Sequence, residues 1–252
     1  MLNLIKYELK GYTKEIIISL GVIIILNLML LTRIKVWEDG VIVFLSYMIT
    51  CATSISVFIW NISLFSRDIY KDSGYLLFTL PETGYSILGS KLLTSLIQSI
   101  VMGAVAILFN FIIFTQITSD WKGILSKISE VVSPGFIMFT VVSAVVYMLY
   151  FLTTVYFSIS LSKVAIRNKK LGKLGAFGIF VVLSIIVSEF LSTISKIFPE
   201  TFSVDIVSSK LQNTMYGMHG VDVNMASLIF QAILFIVLFI ATSYILENKI
   251  DL

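Results

Sequence analysis

Long apolar runs separated by short polar stretches dominate the chain, and six of them are near or above the length that crosses a bilayer: 16–32, 41–65, 92–115, 136–161, 174–198 and 225–246. About 30 Å of hydrocarbon at 1.5 Å per residue takes roughly 20 residues. The first run is the shortest, and none alternates as a barrel strand does. Backbone amides in lipid must be paired within their own segment, so runs of this kind predict helices. The fold class expected is an all-α polytopic membrane protein, a single transmembrane domain over 1–252 with six transmembrane helices.

The stretches between the runs have patterns of their own. Over 1–15, Leu2, Ile5, Leu9 and Tyr12 recur at helical spacing and lead to Ile16, while Lys6, Lys10 and Lys14 form a second stripe. This predicts an N-terminal amphipathic helix on the membrane surface, its basic stripe toward headgroups or a partner. Trp121, Ile124, Leu125, Ile128 and Val131 predict another short interfacial helix, ended before Ser133, Pro134 and Gly135. The connection over 199–224, with Glu200, Asp205, Lys210, His219 and Asp222, is the longest outer loop.

Composition agrees with this layout. Of 252 residues, 58% are hydrophobic and 13% charged, about half the charged share usual in soluble domains. The mean hydropathy is +0.98. The 18 Lys and Arg are unevenly divided: Lys6, Lys10, Lys14, Arg67, Lys71, Lys91, Lys163, Arg167, Lys169, Lys170, Lys173 and Lys249 share one face with the termini. The positive-inside bias makes that face cytoplasmic, with both termini inside, and the runs of Ile, Lys and Asn suggest a low-GC bacterium, so the expected location is a bacterial plasma membrane, crossed several times. A net charge of +3 is ordinary for such a protein and does not suggest nucleic acid. The first run has no small-residue cleavage site, so the N-terminal segment is expected to be retained.

Several chemistries lack their residues. Cys51 is the sole cysteine, which leaves no disulfide or paired thiol; mid-span, it reads as a small packing residue. His219 is the single histidine, so there is no HExxH and no metal cluster. The nearest approach to a phosphate-binding loop, Gly84 to Lys91 (GYSILGSK), puts Ser90 where GxxxxGK[ST] needs lysine. No carboxylate pair sits within a span. The chain is therefore expected to be no enzyme and to hold no cofactor.

Polar residues inside the spans are few. Glu189 lies about 22 Å along span 5, too shallow to leave the hydrocarbon, and intramembrane carboxylates normally face a bundle interior or an aqueous cavity. It is a candidate pathway residue, with structural pairing or snorkelling as the alternative. Ser46, Thr50, Thr53, Ser54, Val57 and Asn61 share a face of span 2; such small and polar strips serve close helix packing, with Thr50, Ser54 and Asn61 as further candidates for a pathway or dimer surface.

The segment over 66–91, SRDIYKDSGYLLFTLPETGYSILGSK, carries the sharpest signal. Arg67, Asp68, Lys71 and Asp72 can continue span 2 into water, and Gly74 can end that helix. Tyr75, Leu76, Leu77, Phe78 and Leu80 then form an apolar block that favours burial, and Pro81 stops it. This order of charged residues, glycine, apolar cluster, Thr79-Leu80-Pro81, Ile87-Leu88 and Lys91 resembles the segment after the second span in type 2 ABC exporter permeases.

That resemblance implies a permease half that dimerises with the same or a similar chain, in membrane lipid, and binds two cytoplasmic ABC ATPase subunits, which would hold the ATP and magnesium. It assigns ATPase coupling to Arg67, Asp68, Tyr70, Lys71, Asp72, Gly74, Tyr75, Phe78 and Pro81. The cargo implied is a peptide or another amphipathic compound. One departure is that 199–224 is too polar for the re-entrant hairpin common in the family. Two other classes fit the same residues: an ion-coupled secondary transporter using Glu189, and a noncatalytic partner or immunity protein binding through 199–224.

Overall fold

The computed structural model describes residues 2–70, 82–165, 169–206 and 220–248. Its elements are α1 (Leu2–Leu31), α2 (Asp39–Tyr70), α3 (Gly84–Ile117), α4 (Trp121–Val131), α5 (Pro134–Ala165), α6 (Lys169–Ile197), β1 (Thr201–Val204), β2 (Val221–Asn224) and α7 (Met225–Asn248). Among the described residues six helices are long and apolar enough to cross a membrane, which marks a multi-pass membrane protein.

Helix ends follow local chemistry more than hydropathy. Asp120 caps α4 by accepting the Gly123 amide at 3.2 Å, and Asn224 caps α7 by accepting the Ser227 amide at 2.8 Å. Pro134 occupies the first position of α5, where its missing amide costs nothing. Between α1 and α2 the chain reverses through Lys35, a non-glycine residue at φ 72°.

Two features of the termini of these elements depart from the hydropathy reading. Residues 2–15 and the first apolar run form one continuous helix, α1, because nothing between Lys14 and Ile16 interrupts the helical backbone. Leu4 and Ile5 are buried, whereas Lys6, Lys10 and Lys14 are exposed. In the 199–224 connection, β1 and β2 pair antiparallel, Thr201 opposite Asn224 and Val204 opposite Val221.

The chain divides into two compact units, and the divisions fall inside α2 and α3. In the first unit (Met1–Leu64 and Gly89–Ile124), α1, α2 and α3 meet in two apolar clusters. Ile23, Val57 and Met102 form one, and Leu30, Ile42 and Ile113 the other. A polar network joins α2 to α3: Ser46 donates to Asn110 Oδ1 at 2.5 Å, and Asn110 donates to Thr50 Oγ1 at 2.8 Å. Every donor thereby finds an acceptor inside a hydrocarbon slab.

In the second unit (Phe65–Leu88 and Leu125–Leu252), α5 is the central element, packed against α6 and α7. Thr153, Thr154, Ser158, Ser160 and Ser162 are buried along it. Short side chains let neighbouring backbones approach, and several of the hydroxyls donate back to their own helix, as Thr154 does to the Tyr150 carbonyl at 2.9 Å.

Candidate functional site

The 66–91 segment is described at its two ends, 66–70 and 82–91; Lys71, Asp72, Gly74, Tyr75, Phe78 and Pro81 lie outside the described residues. Its first end is the last turn and a half of α2. Phe65 is fully buried and stacks on Tyr156 of α5, with ring centroids 4.2 Å apart and 12° between planes. Ile69 and Tyr70 are also buried, while Arg67 and Asp68 are half-buried. Stacked aromatics of this kind contribute beyond their buried area, by about 0.5–1.5 kcal/mol.

Tyr70 rests on the backbone of α6. A Cβ placed on Gly172 would lie 2.9 Å from Tyr70 Cε1, so any larger residue there would have to move the ring. Beside it, Ser162 of α5 donates to the Gly172 carbonyl at 2.5 Å. The end of α2 is thus fitted to both α5 and the start of α6.

The other end of the segment begins α3. Thr83 accepts the Ser86 amide at 3.3 Å as a helix cap, and a hydrogen bond from Ser86 holds the exposed Glu82 carboxyl below the usual carboxylate range. Gly84 is pressed against α7: its amide donates to Glu247 Oε2 at 3.3 Å, and an added Cβ would collide with the Ser243 carbonyl oxygen. The positive end of the α3 dipole thereby meets the carbonyls and a carboxylate at the negative end of α7, a pairing that favours the contact. Ile87 and Leu88 are buried behind it, and Tyr85 lies 6.1 Å from Phe239 of α7.

Lys91, at the end of the segment and within the first unit, meets Glu8 of α1 at 3.2 Å. The side chains are 2% and 12% exposed respectively, so this is a buried ion pair. Glu8 also accepts from Thr94 at 3.0 Å and from Ser90 at 3.4 Å. A low-dielectric site makes each of these contacts matter, because an unpaired charge there is costly.

The candidate pathway residues take different positions. Asn61 is fully buried, its amide 3.5 Å from Ser99 of α3. Thr50 donates to the Ser46 carbonyl and accepts from Asn110. Ser54 is exposed and donates to the Thr50 carbonyl. Together with buried Ser46, Thr53 and Val57, most of the α2 strip faces its helix neighbours. Glu189 is exposed on α6, and its backbone carbonyl accepts from Thr193. Cys51 is exposed on α2 and does not pack in a core, contrary to its sequence reading.

Sequence reasoning missed Glu8, Gly172, Ser243 and Glu247. An acid set among the basic residues of 1–15, one of two with Glu15, was the available hint for Glu8. The other three have no local signature, since their partners lie far along the chain. Among the described residues no group of three or more His, Cys, Asp or Glu could hold a metal ion. Comparison of the chain with protein-family models, curated proteins and solved structures finds no match.

Proposed function

We propose that this chain is the membrane-spanning half of an ATP-driven exporter of the type 2 ABC kind, working as a pair of halves with two separate cytoplasmic ATPase subunits. The 66–91 segment would seat in the ATPase, on a cytoplasmic face that also carries both termini and the basic stripe of 1–15. Peptides or other amphipathic compounds are the cargo class.

One observation carries the proposal: both ends of the segment are built into the bundle that would have to move. Phe65 and Tyr70 are fitted to α5 and α6, and Gly84 is fitted to the end of α7. A solvated connecting loop needs no such fitting at either end. A push on 71–81 would therefore reach α5, α6 and α7 through close-packed contacts, which transmit displacement because packed interiors have few voids.

The test is copurification of the full chain in detergent with cytoplasmic ABC ATPases from its own genome, comparing wild type with an Asp68→Arg, Tyr75→Ala double variant. Binding by the wild type and its loss in a folded variant would support the coupling role. Failure of every ATPase to bind would favour a secondary transporter or a partner protein.

A further inference from the structure

A second feature of the first unit stands apart from the exporter reading. Between α1 and α2, closed at its back by Met102 of α3, lies a groove of about 690 Å³. It follows α1 from Ile18 to Leu30, roughly 18 Å of helix, with Arg33 just beyond the helix end, and so covers more than half of a hydrocarbon layer about 30 Å thick.

Its wall has a polarity profile. The hydroxyls on it are already committed: Ser19 donates to the Glu15 carbonyl at 2.5 Å, Thr53 to Ile49 at 2.7 Å and Ser56 to Ala52 at 2.8 Å. Apart from the indole N–H of Trp60 at the end away from Arg33, the body of the groove offers no spare side-chain donor and suits hydrocarbon. Among the described residues, Arg33 is the one ionisable side chain on the wall, and it stands at one end. Its guanidinium lies 5.8 Å from the centre of the Trp37 ring, and it has no ion pair among the described residues. It follows α1 directly, at the level where a headgroup would lie.

We propose that this groove binds a membrane lipid with an anionic phosphate headgroup, its acyl chain along Leu26, Met48 and Ala52 and its phosphate on Arg33. A guanidinium with no ion pair among the described residues, beside an apolar channel, is complementary to that amphiphile in both charge and shape. Arg is suited to the role because its planar fork pairs with phosphate oxygens two at a time.

Trp37 supplies the readout. In a Trp60→Phe, Trp121→Phe background it is the sole fluorophore, and the protein is reconstituted into bilayers carrying brominated phosphatidylglycerol or brominated phosphatidylcholine. Half-maximal quenching is expected at an anionic mole fraction about fivefold lower than the zwitterionic one, the order set by one cation at a headgroup. Arg33→Gln should abolish that preference, Arg33→Lys should keep part of it, and Lys35→Gln, which alters a neighbouring cation off the groove wall, should leave it intact. Ala52→Phe, which fills the groove body, should reduce quenching by both lipids.

Equal quenching by the two lipids would overturn the proposal and leave ordinary annular contact. A preference that survives Arg33→Gln would overturn it in favour of general charge attraction. Protection of Trp37 from both lipids, with disulfide crosslinking of two Met29→Cys chains, would overturn it in favour of a second copy as occupant.

Discussion

Replacing Lys91 by methionine removes a positive charge whose side chain is 2% exposed and leaves the Glu8 carboxylate, 12% exposed, with the hydroxyls of Ser90 and Thr94 as its partners among the described residues. Breaking a buried pair from one side costs about 3–5 kcal/mol, because the remaining charge is left uncompensated. The slight exposure of Glu8 puts Lys91→Met near the lower end, about 3 kcal/mol. Glu8→Leu should cost a similar amount, since it takes the opposite charge away from the buried ammonium. Removing both charges with Glu8→Leu, Lys91→Met should return stability to within about 1 kcal/mol of wild type, as well-packed apolar replacements often do. The assay is unfolding by denaturing detergent in mixed micelles, followed by tryptophan emission and circular dichroism. A coupling energy of at least about 2 kcal/mol is expected from the double-mutant cycle. Single costs under about 1 kcal/mol that simply add would show the pair to be hydrated like a surface ion pair, and would refute the burial argument.

Gly172→Val should force Tyr70 off the α6 backbone and destabilise the protein by about 1–3 kcal/mol, the usual range for overpacking; adding Tyr70→Ala should restore part of the loss, checked by the same unfolding assay. Cys51 is exposed but sits in the middle of a span, where lipid rather than water would surround it; water-soluble maleimides should leave it unmodified in proteoliposomes and label it once the protein is denatured. Rapid labelling by a membrane-impermeant maleimide in intact liposomes would put water on that face of α2. The lowered Glu82 pKa means that its contribution at the start of α3 is present above the ordinary carboxylate range and is lost as pH falls through the still lower folded value. Protection factors at Ser86 and Ile87, taken relative to intrinsic exchange at each pH, should therefore fall in acid for wild type, with a smaller pH response in Glu82→Gln.

The spans were legible because run length in lipid is a one-dimensional property: about 20 apolar residues leave the backbone one solution. Where helices run past the hydrocarbon, that signal stops. The first turns of α3 contain Gly84, Ser86, Gly89 and Ser90 and read as polar loop, yet they are helical because Thr83 caps them and α7 receives them. The short helix at Trp121–Val131 was readable from its spacing. The pairing of Thr201–Val204 with Val221–Asn224 was not, because four-residue strands carry too little alternation to register against a polar background.

The same holds for the candidate site. Asp68, Tyr75 and their neighbours stand out in sequence because an apolar cluster inside a charged loop is anomalous wherever it occurs. What anchors the segment is a set of pairwise fits, Tyr70 to Gly172 and Gly84 to Ser243, between residues about 100 or more positions apart. Neither glycine is marked by its surroundings in the chain; each becomes necessary when a second helix arrives.

The length of α3 has a mechanical consequence. Its 34 residues make a rod of about 51 Å in a hydrocarbon layer about 30 Å thick, and the overhang lies chiefly at the Gly84 end, since the apolar run begins at Leu92. Such a rod acts as a lever with its short arm in water. With an arm of about 12 Å, the eight residues from Gly84 to Leu92, a tilt of about 5° carries the tip about 1 Å, enough to take the Gly84 amide, now 3.3 Å from Glu247 Oε2, beyond hydrogen-bonding distance. A motion too small to alter any span's depth in the membrane would still make or break the contact between α3 and α7.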